Sequence, residues 1–60
     1  MATKMVDLVE KRIISSMRKI RNKEVTPKES GIGKMFVRMK DLDEALYEEL
    51  IVRYKKVLQR

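Results

Sequence analysis

The sequence predicts an all-α protein, a helical hairpin of two long helices that assembles as a dimer. Apolar residues recur at steps of three and four in both arms of the chain, and both arms lack proline and glycine, which favours helices. The single proline and both glycines fall between residues 24 and 33 and separate the arms. Sixty residues make one small domain, because domains usually run to about 50–200 residues.

The first helix is predicted over about residues 3–23. One apolar stripe on a 3.6-residue period defines its buried side and consists of Val6, Val9, Ile13, Met17 and Ile20. Thr3 lies just before the stripe. Its hydroxyl can accept a hydrogen bond from an amide of the first turn, so Thr3 is the predicted N-cap.

Residues 24–33 are predicted to form a connector. Pro27 blocks helix continuation and disfavours a helical conformation at Thr26. Gly31 and Gly33 allow backbone angles that other residues avoid. We therefore expect the chain to reverse here, so that the two long helices pack antiparallel.

The segment 34–40 has two interpretations. With a period of two, Met35, Val37 and Met39 face one way, which is typical of a short β-strand. With a period of 3.6, Met35 and Met39 extend the apolar face of the last helix backward, which predicts one helix from about residue 34 to residue 58. Both alternatives stay open, because periodicity does not separate strand from helix in a short apolar run.

The last helix is predicted over about residues 41–59. Asp41 and Glu44 have the spacing of a capping box, so Asp41 is the expected N-cap. The apolar surface covers roughly half of the helix, whereas packing against one neighbour needs an arc of ~100°. We expect the surplus to form the interface of a homodimer or of a partner complex. The alternative is a wide core within the chain, in which the whole apolar surface contacts the first helix and the connector. The residues of this predicted interface are Tyr47, Ile51, Tyr54 and Leu58.

Several kinds of chemistry are excluded by composition. The chain has no Cys and no His, so zinc fingers, thiolate nucleophiles, imidazole bases and disulfides are ruled out. The acidic residues between 41 and 49 are predicted on an exposed face, where no cleft shifts their pKa for acid–base catalysis. We therefore predict a non-enzymatic protein without metal or cofactor. No apolar run reaches the ~18–20 residues that span a membrane, and the lack of Cys is consistent with a cytoplasmic location.

Positive charge is concentrated in residues 11–28. The net charge of the chain is +6, and this segment contains seven basic residues against Glu24 alone. Concentrated positive charge is the electrostatic pattern of nucleic-acid binding. The expected contacts from the first helix are Lys11, Arg12, Arg18, Lys19, Arg21 and Lys23.

These patterns predict a small DNA-binding or transcription-regulating homodimer whose partner is double-stranded DNA, and which is associated with the nucleoid. The alternative is a protein-binding adaptor or inhibitor. In that case the broad apolar face of the last helix docks on a partner protein, and basic residues attract an acidic surface of that partner.

The run 36–50, FVRMKDLDEALYEEL, resembles the strand and first helix of ribbon-helix-helix DNA-binding proteins. The resemblance implies a strand that pairs across a two-fold axis and enters the major groove. The resemblance would turn Phe36, Arg38 and Lys40 toward DNA and place Met35, Val37 and Met39 inside. Arg38 would then contact guanine edges or phosphate. The sequence departs from the family pattern, because its extra helix precedes the strand whereas the family has a second helix after the first.

Overall fold

The structure is a computed structural model that describes residues 4–59. These residues form four helices and no strand, namely α1 (Met5–Arg21), α2 (Pro27–Ser30), α3 (Ile32–Leu42) and α4 (Glu44–Leu58). The prediction of an all-α protein is confirmed. Between residues 4 and 59, no helix is long and apolar enough to cross a membrane.

Helix α1 follows the predicted stripe. Val9, Ile13 and Met17 are buried in the core, and Val6 and Ile20 pack at its edge. The predicted N-cap, Thr3, lies outside the described residues.

A left-handed residue ends α1. Lys23 has a φ of 62°, and its amide donates to the carbonyl of Ile20 at 3.0 Å, while the amide of Glu24 donates to the carbonyl of Lys19 at 2.9 Å. This is the Schellman pattern, which satisfies carbonyls that the helix end leaves without partners.

The predicted connector contains the start of a helix. Thr26 Oγ1 accepts from the amide of Glu29 at 3.2 Å, and Glu29 Oε1 accepts from the amide of Thr26 at 2.9 Å. Pro27 occupies the first helical position, where its missing N–H costs nothing because that amide has no partner within the helix. The short helix α2 therefore replaces an irregular connector, and Gly31, with a φ of 69°, joins it to α3.

The segment 34–40 is helical, so the strand interpretation is wrong, and so is the strand that the ribbon-helix-helix resemblance implied. The buried face of α3 is formed by Ile32, Phe36 and Met39, at steps of four and three. Val37 is 66% exposed, whereas the ribbon-helix-helix resemblance placed it inside. The 3.6-residue period is correct, but its buried side passes through Phe36.

The long helix predicted from 34 to 58 is interrupted at Asp43, and the N-cap is Asp43 and not Asp41. Asp43 is extended, with a φ of −157°, and its Oδ1 accepts from the amide of Leu46 at 3.1 Å. Asp41 lies in the last turn of α3. The acidic run at 41–44 does begin a helix, two residues later than its spacing suggested.

Three long helices, rather than two, share one core. Ser16 of α1 donates to Met35 Sδ near the start of α3 at 3.9 Å. The earlier residues Val9 and Arg12 line a cleft that extends along α3 to its last residue, Leu42, so these helices run antiparallel. The chain turns at Asp43, and the ring of Phe36 on α3 lies close to both Tyr47 and Tyr54 on α4, so α3 and α4 are antiparallel as well. As a result α1 and α4 run in the same direction, and their C-terminal halves meet.

The predicted dimer interface largely faces the chain's own core. The ring of Phe36 lies 6.2 Å from that of Tyr47 and 5.2 Å from that of Tyr54, measured between centroids. Ile51 also packs against the core, whereas Leu58 is 50% exposed. The surplus apolar surface of α4 was inferred by counting one companion helix, and α3 is a second.

Candidate nucleic-acid interface

A cleft of about 390 Å³ separates the C-terminal halves of α1 and α4. We call it the α1/α4 cleft. Four of the residues that line it are basic and the other three are apolar: Arg18, Arg21, Arg53, Lys56, Ile14, Met17 and Val57.

The fold places two pairs of basic residues opposite one another. Arg18 and Arg21 are three residues apart near the end of α1, and Arg53 and Lys56 are three apart near the end of α4. Residues at this spacing are neighbours on a helix surface. Because α1 and α4 run in the same direction, both pairs reach the same end of the bundle.

The α1/α4 cleft is an electropositive surface with a partly buried apolar floor. All four basic residues are exposed, whereas Met17 is buried and Ile14 and Val57 are half-buried. None of the seven lining residues is acidic. Guanidinium and ammonium groups on such a surface are suited to bind phosphate, and guanidinium can do so with two parallel hydrogen bonds.

The predicted basic patch is divided among several surfaces, although all of its members are exposed. Arg18 and Arg21 line the α1/α4 cleft. Arg12 and Arg38 meet at another cleft, between α1 and α3. Lys23 lies beside Glu24 and Glu29 in a small depression near α2.

Two predicted contacts on α1, Lys11 and Lys19, are exposed and line neither of the two clefts beside α1. On a 3.6-residue period Lys11 lies opposite the buried stripe. The helical repeat thus spreads the charged run over roughly half of the circumference of α1, on the sides away from the buried stripe.

Arg53 and Lys56 were not among the predicted site residues. They are separated from Arg18 by more than thirty positions and lie outside the basic segment 11–28. The i,i+3 pairing within α4 was present in the sequence. What it lacked was the direction of α4 relative to α1.

Glu29 and Tyr54 have shifted pKa values, and neither of them lines the α1/α4 cleft. Hydrogen bonds from the backbone and side chain of Thr26 lower the pKa of Glu29, and partial burial raises the pKa of the Tyr54 phenol. In the part of the chain that the structure describes, no group of His, Cys, Asp or Glu is arranged to hold a metal ion.

Comparison with protein-family models, with curated proteins and with solved structures finds no match for the chain. The functional inference therefore depends on the geometry and charge of the cleft.

Proposed function

We propose that the protein binds nucleic acid, with a preference for duplex DNA, and that its α1/α4 cleft binds the backbone phosphates. The observation that carries the proposal is the convergence of Arg18, Arg21, Arg53 and Lys56 on one cleft that no acidic side chain lines. Phosphate contacts of this kind supply affinity without sequence preference, because the phosphate backbone is the same at every base pair.

The dipoles of α1 and α4 offset only part of the positive charge around the α1/α4 cleft. Basic residues commonly occupy the last turn of a helix, where the aligned peptide dipoles act as about −0.5 elementary charge. The C-terminal ends of α1 and α4 together supply about −1, against four positive side chains around the cleft. A surplus of about three positive charges therefore faces solvent and is available to an anionic ligand.

The proposed biological role is non-enzymatic regulation of transcription by a small protein of the cytoplasm or nucleoid. Dimerisation is part of the proposal, because a homodimer presents two α1/α4 clefts and so doubles the phosphate contacts on one duplex. Leu58 is the most exposed of the four predicted interface residues. The variant Leu58→Glu therefore tests the dimer. We expect it to reduce the dimer fraction in sedimentation equilibrium.

The test is fluorescence anisotropy with a labelled DNA duplex of about 20 base pairs at several salt concentrations. For a protein that contacts several phosphates, log K falls linearly with log salt, and the slope is about −0.9 for each contact. We expect Arg18→Gln and Arg53→Gln each to reduce the magnitude of that slope by about one. The two residues come from different helices, so equal effects support a single cleft.

The matched control is Lys11→Gln, which removes the same charge from α1 outside the cleft. We expect Lys11→Gln to leave the slope within experimental error of the wild type. Equal losses in all three variants would indicate diffuse attraction to a basic surface and contradict the proposed site. No binding at tens of micromolar protein in ~100 mM salt would contradict nucleic-acid binding itself. A labelled single-stranded RNA of equal length shows whether the duplex is preferred.

A further inference from the structure

A second surface, on the other side of α1, combines exposed apolar side chains with a basic rim. The cleft between α1 and α3 has a volume of about 570 Å³, and we call it the α1/α3 groove. Its lining consists of four apolar residues, three basic residues and one acidic residue: Val9, Met35, Val37, Leu42, Arg12, Lys34, Arg38 and Asp41.

Two of the four apolar residues that line this groove are exposed to solvent. Val37 and Leu42 on α3 are 66% and 40% exposed. Leu8 and Met5, 43% and 51% exposed, lie one and two turns before Arg12 on the same side of α1, because residues three and four apart share a helix face. Four of the six large apolar residues that are exposed between residues 4 and 59 thus lie along this side of the bundle. Exposed apolar residues gathered in a patch are a mark of an interaction site.

We infer that the α1/α3 groove docks an amphipathic helix of a partner protein whose apolar face is flanked by carboxylates. This inference does not rest on nucleic-acid binding, since the groove and the α1/α4 cleft lie on different sides of α1 and share no lining residue.

The shape of the groove fits a helix. The lining residues of α3 extend from Lys34 to Leu42, which is about 12 Å along the helix axis. A docked helix with apolar residues at i, i+3 or i+4, and i+7 places its anchors over about 10.5 Å. This is the recognised spacing of helix-in-groove binding.

The charged residues at the rim of the groove determine which charges can flank the apolar face of the partner helix. Arg12, Lys34 and Arg38 oppose Asp41 alone, so acidic flanks complement the groove and basic flanks are repelled. A second copy of this chain is disfavoured for the same reason. In a two-fold contact the same surface meets itself, and three positive charges would approach their own images.

The experiment uses a fluorescein-labelled peptide of about 15 residues, crosslinked to hold it helical, with Leu at the anchor positions and Glu on both flanks. One control peptide has the same composition in scrambled order, and another has Lys in place of Glu. We expect both controls to bind at least about ten-fold more weakly than the designed peptide. Titration of the ¹⁵N-labelled protein should shift the amides of Met35, Val37 and Leu42.

The protein variant Val37→Glu tests the groove directly, because Val37 is exposed and its replacement leaves the core intact. We expect Val37→Glu to weaken the designed peptide at least about ten-fold. The matched control, Val52→Glu on α4, is 53% exposed and lies outside the groove, so it should change binding by less than about two-fold.

Four outcomes would overturn the inference. They are no binding of the designed peptide, equal binding of the scrambled peptide, equal loss in the two protein variants, and a wild-type dimer in sedimentation that Val37→Glu dissociates. The last result would assign the groove to a second copy of the chain. Binding of duplex DNA is measured on the same variants. Val37→Glu should leave the slope of log K for DNA against log salt unchanged. A failure of peptide binding can therefore be distinguished from a failure of nucleic-acid binding.

Discussion

Replacing Asp43 by Ala tests the break between α3 and α4. Asp43 Oδ1 accepts from the amide of Leu46 at 3.1 Å, and Ala leaves that amide at the start of α4 without a side-chain acceptor. The loss of an N-cap of this kind costs about 1 kcal/mol of unfolding free energy. In a domain of this size, 1 kcal/mol corresponds to a fall in Tm of about 4–8 °C. The assay is thermal unfolding followed by circular dichroism at 222 nm, with urea unfolding as a second measure.

The matched control is Asp41→Ala, at the position that the capping-box spacing favours. Asp41 is exposed in the last turn of α3, where a carboxylate faces the negative end of the helix dipole. We therefore expect Asp41→Ala to change stability by less than about 0.5 kcal/mol, and Asp43→Asn to retain most of it, since Asn is also a good N-cap. A larger loss at Asp41 than at Asp43 would refute the break at Asp43. No loss at either position would indicate a continuous helix.

Three further predictions concern the segment between α1 and α3. Lys23→Gly should stabilise the protein by about 1 kcal/mol in urea unfolding, because the φ of 62° at Lys23 is unfavourable for a residue with a Cβ. Gly31→Ala should destabilise the protein by about 1 kcal/mol, because the φ at this position is 69°. Gly33→Ala should stabilise α3 by a similar amount, because a Cβ added there meets open space. Equal effects at the two glycines would contradict the left-handed turn at Gly31. The pKa of Glu29 lies below its ordinary value of 4.5, so its contribution to stability is present above about pH 4.5 and is lost as the pH falls through the lower folded pKa. Thr26→Ala should raise the pKa of Glu29 toward 4.5 in a carboxyl NMR titration, and an unchanged value would contradict the capping box.

Periodicity predicted α1 because five of its apolar residues lie on one stripe with a 3.6-residue period. Periodicity did not separate helix from strand in residues 34–40, because the buried face that shows the helical period also includes a residue outside this segment. Ile32 had been assigned to the connector, yet together with Phe36 and Met39 it completes the buried face of α3. The signal for α2 was also present, since Thr26 and Glu29 have capping-box spacing. Pro27 was interpreted as a helix breaker, although between a cap and a helix it is a favoured first residue.

The candidate site was harder to predict than the fold, because it depends on which residues of α1 and α4 become neighbours. A count of charge along the chain found Arg18 and Arg21, but it also included Lys11, which lies about two turns before Arg18 and does not line the cleft. It omitted Arg53 and Lys56, which the structure places at the α1/α4 cleft. Residues on one helix can be grouped from their spacing. Residues on two helices can be grouped only when the relative direction of the helices is known.

That direction determines the electrostatics of the bundle. In the predicted two-helix hairpin, α1 and the last helix run antiparallel, so Arg18 and Arg21 would lie beside the acidic start of that helix, where Asp43 and Glu44 would offset much of their charge. The intervening helix α3 reverses the chain a second time, so the acidic start of α4 lies at the far end of the bundle from the basic end of α1. The basic ends of α1 and α4 then adjoin, and like charges are held together by the burial of Ile13, Phe36 and Leu50 in the common core. Like charges in proximity repel and destabilise the free protein, and an anionic ligand in the α1/α4 cleft relieves that repulsion. Duplex DNA should accordingly raise the Tm of the wild-type protein, and it should raise the Tm of Arg53→Gln by less.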